Sequence, residues 1–225
     1  MACIANGIAL HGGIIPVVAT FFVFSDYMKP AIRLSGIQEL PVKYVWTHDA
    51  FRVGEDGPTH QPVEQEAQLR LLEKLKNHSG NPSFLALRPA DSAETSVAWK
   101  MALENKSTPT GLILSRQGIK DLPSKGTSRY SDALSAEKGG YLIKEVENPD
   151  VVLIANGSEV ATLVAASEIL ESENGLKVNI ASVISEGLFK LQSKAYQDNV
   201  IPKHKPLFGL TAGLPVNLEG LVGDN

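Results

Sequence analysis

The chain has 225 residues, 43% apolar and 20% charged, and its 21 basic and 25 acidic residues leave a net charge of −4. That composition suits an ordinary globular chain of one large domain or two small ones, and without a basic stripe it argues against a nucleic-acid partner. The longest apolar run, Ile14 to Phe24, is broken by Pro16 and Thr20 and is too short to span a bilayer, so no membrane role is expected. No basic segment precedes an apolar core at the N-terminus, so no signal peptide is expected, and the cytoplasm is the expected setting. The single Cys3 cannot close an internal disulfide. In an apolar, helix-like stretch it reads as a buried thiol in a reducing compartment.

Met1 to Leu10 reads as a helix stopped by His11-Gly12-Gly13. Ile14 to Thr20 reads as a strand, and Ser25 or Asp26 can cap a helix running to Glu39, with Pro30 in its first turns. Val42 to Trp46 is a continuous apolar strand, followed by a long loop and a helix opened by Pro62 and running through Leu75. Phe84 to Leu87 is a strand, Asp91 caps a helix reaching about Glu104, and Thr110 to Leu114 is a strand ending in Ser115-Arg116-Gln117. Solid apolar strands alternating with helices imply a parallel sheet covered on both faces. Residues 118–138, rich in Ser, Lys, Gly and Asp, break the pattern and read as an interdomain linker. A second alternation follows: strands Tyr141–Lys144 and Val151–Ala155, a helix from Ser158 to about Glu171, then strands Lys177–Val183 and Leu207–Leu210. The expected fold class is α/β, two successive units each with a mainly parallel sheet flanked by helices. The units are expected at 1–117 and 139–225, both truncated.

The loop between Trp46 and Pro62 gathers His48, Glu55, Asp56, His60 and two glycines just past a buried strand, where open α/β sheets place binding sites. A loop this long in a compact domain is usually functional or disordered. His48 and Asp56 can hydrogen-bond a substrate hydroxyl, and His60 can shuttle a proton or stabilise charge. Arg116 suits a two-pronged grip on phosphate or carboxylate, with a structural salt bridge as the alternative. Phe21, Phe24 and Tyr27 recur at every third residue. They fit either core packing or a stacking slot for a flat heterocycle, and the spacing does not choose between them. His48, Asp56 and His60 match no compact metal-ligand spacing, so no metal site is expected in this chain. Asn156-Gly157-Ser158 reads as an ordinary helix N-cap rather than an anion site. His11, His78 and His204 fall in turn-like segments and are given no role.

Several segments, in order and spacing, closely resemble the pyrimidine-binding domain of transketolase. They are Ala19-Thr20-Phe21-Phe22-Val23-Phe24-Ser25-Asp26-Tyr27, Thr47-His48-Asp49, Gly54-Glu55-Asp56-Gly57-Pro58-Thr59-His60-Gln61-Pro62, Arg88-Pro89-Ala90-Asp91 and Leu114-Ser115-Arg116-Gln117. Gly139-Gly140-Tyr141, Asn148-Pro149-Asp150, Gly157-Ser158-Glu159-Val160 and the stretch around Glu186, Leu188 and Phe189 resemble the C-terminal domain of the same family. The resemblance implies transfer of a two-carbon ketol unit from a ketose phosphate to an aldose phosphate, with thiamine diphosphate and a divalent metal, usually magnesium. Carried over residue by residue, Phe21, Phe24 and Tyr27 match the aromatic wall around the aminopyrimidine ring, Phe24 being the stacking partner. His60 matches the catalytic histidine beside the cofactor and donor, Asp56 the residue that bonds a sugar hydroxyl, and His48 and Arg116 the phosphate grip.

The family's glutamate that protonates the pyrimidine nitrogen lies just before the segment equivalent to Met1-Ala2-Cys3, so it is expected to fall outside this chain. The same holds for an arginine and a serine of the phosphate site and for the diphosphate-binding domain with its metal site. Gly223-Asp224-Asn225 matches letters of that metal motif in the wrong domain. The cofactor site is therefore expected to be incomplete. What the resemblance implies is a piece of a transketolase-like enzyme, inactive alone. Alternatives are the C-terminal subunit of a split transketolase, whose partner chain carries the diphosphate-binding domain, and a non-enzymatic association module. An uncovered edge of the first sheet predicts a homodimer or larger assembly.

Overall fold

The computed structural model describes residues 1–223; Asp224 and Asn225 of the Gly223-Asp224-Asn225 match lie outside the described residues. Ala2, Ala5 and Asn6 recur at helical spacing, and α1 (Ala2–His11) buries that narrow face. Cys3 lies on the other side and is exposed, which corrects the expectation of a buried thiol. The helix is apolar nearly all round, so composition could not say which side the core would take.

Four strands, β1 (Val17–Phe21), β2 (Lys43–Thr47), β3 (Leu85–Leu87) and β4 (Thr110–Ile113), form one sheet in the order β1-β2-β4-β3, with every pairing parallel. Alternation along the strands sorts the side chains between two faces. Tyr44, Trp46, Ala86 and Ile113 meet α1, α2 (Lys29–Ile37) and α3 (Gln65–Glu73). Val45, Leu87 and Leu112 meet α4 (Ser92–Glu104) on the other face. Asp91 caps α4 as expected, accepting the Glu94 N–H at 2.8 Å.

Two helices begin later than the sequence suggests. Phe22–Tyr27 winds as a 3-10 turn, so α2 starts at Lys29 and neither Ser25 nor Asp26 caps it, while Pro30 keeps its place in the first turn. Ahead of α3, the Val63 N–H donates to Gln65 Oε1 at 2.9 Å, closing a local turn that keeps Pro62 outside the helix.

Residues 118–138 pass between two sheets and carry α5 (Arg129–Ala133), then a 3-10 turn, Leu134–Lys138. Arg129 anchors them, its Nε donating to Asp91 Oδ2 at 2.6 Å and its Nη2 to the Tyr141 hydroxyl at 2.6 Å. The second sheet joins β5 (Tyr141–Lys144), β6 (Val151–Ala155), β7 (Val178–Ser182) and β8 (Leu207–Gly209) in the order β5-β7-β6-β8. Three of its strands are parallel and β5 is antiparallel to β7, so this sheet is mixed. One face packs on α6 (Glu159–Asn174) and α4 through a cluster running unbroken from Leu87 and Leu112 to Leu153 and Ile180. The other face is covered by α7 (Glu186–Lys190), α8 (Lys194–Val200) and α9 (Val216–Val222). The chain is thus α/β, with two sheets flanked by helices. Among the described residues, no helix is long and apolar enough to cross a membrane.

Candidate active site

A 3-10 helix has about three residues per turn, so side chains at i and i+3 eclipse. The turn after β1 therefore presents two columns. Phe22 and Ser25 form the buried one, Phe22 lying 5.8 Å from the Trp46 ring. Phe21, Phe24 and Tyr27 form the other. Phe21 and Phe24 have centroids 6.1 Å apart at 15°, Phe24 and Tyr27 are also 6.1 Å apart, and Tyr27 is 85% exposed. The core takes the neighbouring column and leaves these three rings at a rim.

At the end of β2 the backbone turns sharply, with His48 at φ +65°. Its imidazole lies over Phe21, centroids 3.7 Å apart, and shares a hydrogen bond of 3.0 Å between Nδ1 and Thr47 Oγ1. His48 Nε2 is 3.8 Å from Asp56 Oδ2, and Arg116 Nε, beyond β4, is 3.8 Å from the same oxygen. That oxygen is buried and makes no hydrogen bond. Gly54, at φ +88°, lets the loop lie on the guanidinium, since a Cβ there would sit 3.3 Å from Arg116 Cζ. His60 stands edge-on to Phe24 at 5.3 Å, its Nδ1 engaged with Thr59 Oγ1 at 2.8 Å. All seven residues singled out from the sequence thus meet at the C-terminal ends of β1, β2 and β4, the side where parallel sheets bind ligands.

Burial lowers the His48 imidazole below its ordinary value of about 6.5, and Arg116 and His60 push the same way against Asp56 and Asp49. The ring is therefore mainly neutral at pH 7, an acceptor or donor whose protonation an incoming dianion would favour. Among the described residues no group of three or more His, Cys, Asp or Glu is arranged to hold a metal ion.

A second constellation, to whose residues the sequence assigns no functional role, lies beside this rim. Arg88, at the end of β3, is 1% exposed and bonds Asp49 Oδ2 at 3.0 Å, Glu66 Oε2 at 3.3 Å, Asn156 Oδ1 at 2.6 Å and Glu159 Oε2 at 2.7 Å. Arg70 from α3 closes the cluster on Glu66 at 3.1 Å and Glu73 at 3.2 Å. Ser158 does not cap α6 with its side chain, which corrects that expectation. Its hydroxyl donates to the Asp49 carboxylate at 2.7 Å, a charge-assisted bond. Burial pushes the Glu159 carboxyl up despite Arg88. Burial also acts on Glu66, but Arg88 and Arg70 together outweigh it and hold that carboxyl low. In the sequence the cluster shows only as separate segments, Thr47-His48-Asp49, Arg88-Pro89 and Asn156 to Glu159, with nothing to join them.

Residues 1–120 match the family described as "Transketolase, pyrimidine binding domain", and residues 139–225 match "Transketolase-like TK C-terminal domain". The chain belongs to the transketolase family. It is 44% identical to the transketolase of Halalkalibacterium halodurans over 99% of this chain and 31% of that protein, and 44% identical to that of Bacillus subtilis over 90% and 29%. Among solved structures, the transketolase from Leishmania mexicana superposes with a TM-score of 0.85 at 38% identity, covering 98% of this chain and 30% of its own. A split gene transketolase, described as an inactive beta4 tetramer, superposes with a TM-score of 0.61 at 29% identity, covering 81% of this chain and 53% of its own. The chain spans under a third of the full transketolases named here.

Proposed function

We propose that this chain supplies the aminopyrimidine wall and the sugar-phosphate grip of a transketolase, which moves a two-carbon ketol unit from a ketose phosphate to an aldose phosphate. The observation that carries this reading is the convergence of Phe21, Phe24, Tyr27, His48, Asp56, His60 and Arg116 on one rim. Thiamine diphosphate, when bound, supplies the carbanion-stabilising chemistry. The residues present fit its flat pyrimidine half, with Phe24 offering a ring to stack upon. The unpaired Asp56 oxygen is an acceptor for a sugar hydroxyl, and His48 and Arg116 flank it as donors to a phosphate. His60, with Nδ1 engaged by Thr59, holds or moves a proton at Nε2 beside the Phe24 ring.

The residues do not fit the diphosphate and its magnesium. Among the described residues no group of three or more His, Cys, Asp or Glu is arranged to hold a metal ion, so on this reading the magnesium site comes from elsewhere. We infer that the working unit is a pair in which this wall faces a diphosphate-binding domain of another subunit, in the cytoplasm where sugar phosphates are handled. The chain with thiamine diphosphate and magnesium is expected to transfer no ketol from xylulose 5-phosphate to ribose 5-phosphate. Adding the remainder of a transketolase is expected to restore turnover. Brisk turnover by the chain alone, or none after complementation, would refute the reading.

The likeness to the split gene transketolase favours a second reading, a natural subunit whose partner polypeptide carries the diphosphate-binding domain. Co-purification of such a partner distinguishes it. Binding to a full-length homologue with no effect of thiamine diphosphate would instead point to an association module.

A further inference from the structure

The stretch of backbone that carries His48 is strained. His48, Ala50 and Arg52 sit at φ +65°, +115° and +55°, with Asp49 among them. Residues other than glycine seldom adopt this region, and such conformations persist only where surrounding contacts over-determine them. On its outer side the loop faces a cleft of ≈ 420 Å³, lined in part by Phe51, Arg52, Gln117, Lys120 and Ser158. The first inward anchor after His48 is Asp49, which is 2% exposed.

The grip on Asp49 comes from two directions. Its Oδ2 accepts from Arg88 Nη2 at 3.0 Å and from the Ser158 hydroxyl at 2.7 Å. Ser158 stands at the head of α6, which packs on the second sheet. Arg88 is itself stitched to that unit, since its N–H donates to Ile184 O at 2.9 Å and its carbonyl accepts the Gly157 N–H at 3.0 Å. Gly157, at φ +57°, is moulded onto the arginine, and a Cβ there would fall 2.6 Å from Arg88 Nε.

We propose that Asp49 is a positioning residue for His48, and that Ser158 and Arg88, by fixing its carboxylate, let the second unit set where the imidazole of the first unit sits. The functional weight of this role rests on reading His48 as part of the phosphate grip; its geometry does not. With the anchor cut, the loop relaxes toward commoner backbone angles and the imidazole leaves the face of Phe21. Nε2 then loses its place beside Asp56 and Arg116. The second unit thereby takes part in sugar-phosphate binding although Ser158 touches Asp49 rather than the imidazole.

Nuclear magnetic resonance of the full chain with labelled histidine reads this directly. A ring stacked 3.7 Å from Phe21 carries an upfield ring-current shift and cross-relaxes with Phe21 protons. Ser158→Ala and Asp49→Asn are expected to weaken both signatures at His48 and leave those of His60 in place, and Ser158→Thr is expected to restore them. Ser158→Ala removes only one hydroxyl, so it carries the test should Asp49→Asn unfold. His48 signals matching wild type in the folded variants would overturn the proposal. In a second arm, inorganic phosphate is expected to bind Ser158→Ala about fivefold more weakly than wild type, the equivalent of one lost hydrogen bond. Equal binding by the two would also overturn it. A wild type blind to phosphate would count against the phosphate reading of the rim, while the ring signals still decide the positioning role.

Discussion

The rim around His48 and the junction around Arg88 are built from the same kinds of residue and do opposite things. At the junction one arginine is tightly held: its terminal nitrogens reach partners between 2.6 and 3.3 Å, every participant is buried, and the two sheets are tied together, although Arg88 Nε, Arg70 Nε and Asp49 Oδ1 stay unpaired. At the rim the corresponding contacts are 3.8 and 3.9 Å, Arg116 is partly exposed, and a buried carboxylate oxygen of Asp56 has no partner. Short contacts between buried charges explain themselves by the fold, whereas long contacts at a partly open rim leave charge available to a ligand. Residue type alone does not separate structural from functional arginines here. Contact length and exposure do.

The largest break in this contrast comes from Arg88→Met. It leaves Asp49, Glu66 and Glu159 without their shared guanidinium, and removing one partner of a buried ionic cluster costs about 3–5 kcal/mol. Urea unfolding measures it, and a loss below about 1 kcal/mol would mean that water relieves the cluster. Next comes Gly157→Ala, which adds a methyl 2.6 Å from Arg88 Nε at a positive φ. Overpacking of this kind costs about 1–3 kcal/mol, and the same titration reports it.

Acid–base behaviour sharpens the comparison further. Glu159 is pushed up by burial, so its contribution is full below its ordinary value of about 4.5 and is lost as pH rises through the raised value. Glu66 is held low, so its contribution is present above about 4.5 and is lost as pH falls through its depressed value. Glu159→Gln is therefore expected to be most destabilising near pH 4.5 and progressively less so toward pH 7, as read by thermal melts of the two proteins. A penalty growing toward pH 7 would show that Arg88 outweighs burial at Glu159. At the rim, His48 is depressed, so its contribution is complete above about 6.5 and fades as pH falls. Its resonances are expected to titrate below 6.5 and to move upward when inorganic phosphate is added.

Much of the fold was legible because parallel strands buried on both faces are solid apolar runs, as at Val151–Ala155. The same property hid the orientation of β5, whose run Tyr141–Lys144 looks no different although it is antiparallel to β7. Helices α7, α8 and α9 span five to seven residues, too few for a helical period to emerge. The rim residues were legible as a family pattern and from their place at strand ends. Which aromatic column would face outward was not, because Phe21-Phe22 and Phe24-Ser25 offer both choices until the 3-10 winding is known. The Asp49–Ser158 bond joins residues 109 positions apart, a contact no local pattern encodes.

The smallest expected effect on stability is at the rim itself, and there the contrast is tested from its other side. Arg116 reaches Glu55 and Asp56 only at 3.9 and 3.8 Å, with 37% of its side chain exposed. Ion pairs of that length and exposure contribute little, about 0–1 kcal/mol. Arg116→Met should therefore shift the melting temperature by no more than about 4 °C, since a change of about 1 kcal/mol moves a domain of this size by roughly 2–4 °C. If the proposed phosphate grip holds, in the complemented enzyme the same substitution should raise KM for sugar phosphates much more than it lowers kcat, because a charge gripping phosphate before and during reaction alike would be gone. A melting temperature that falls as far as that of Arg88→Met would place Arg116 with the structural arginines, and the distinction drawn from contact length and exposure would fail.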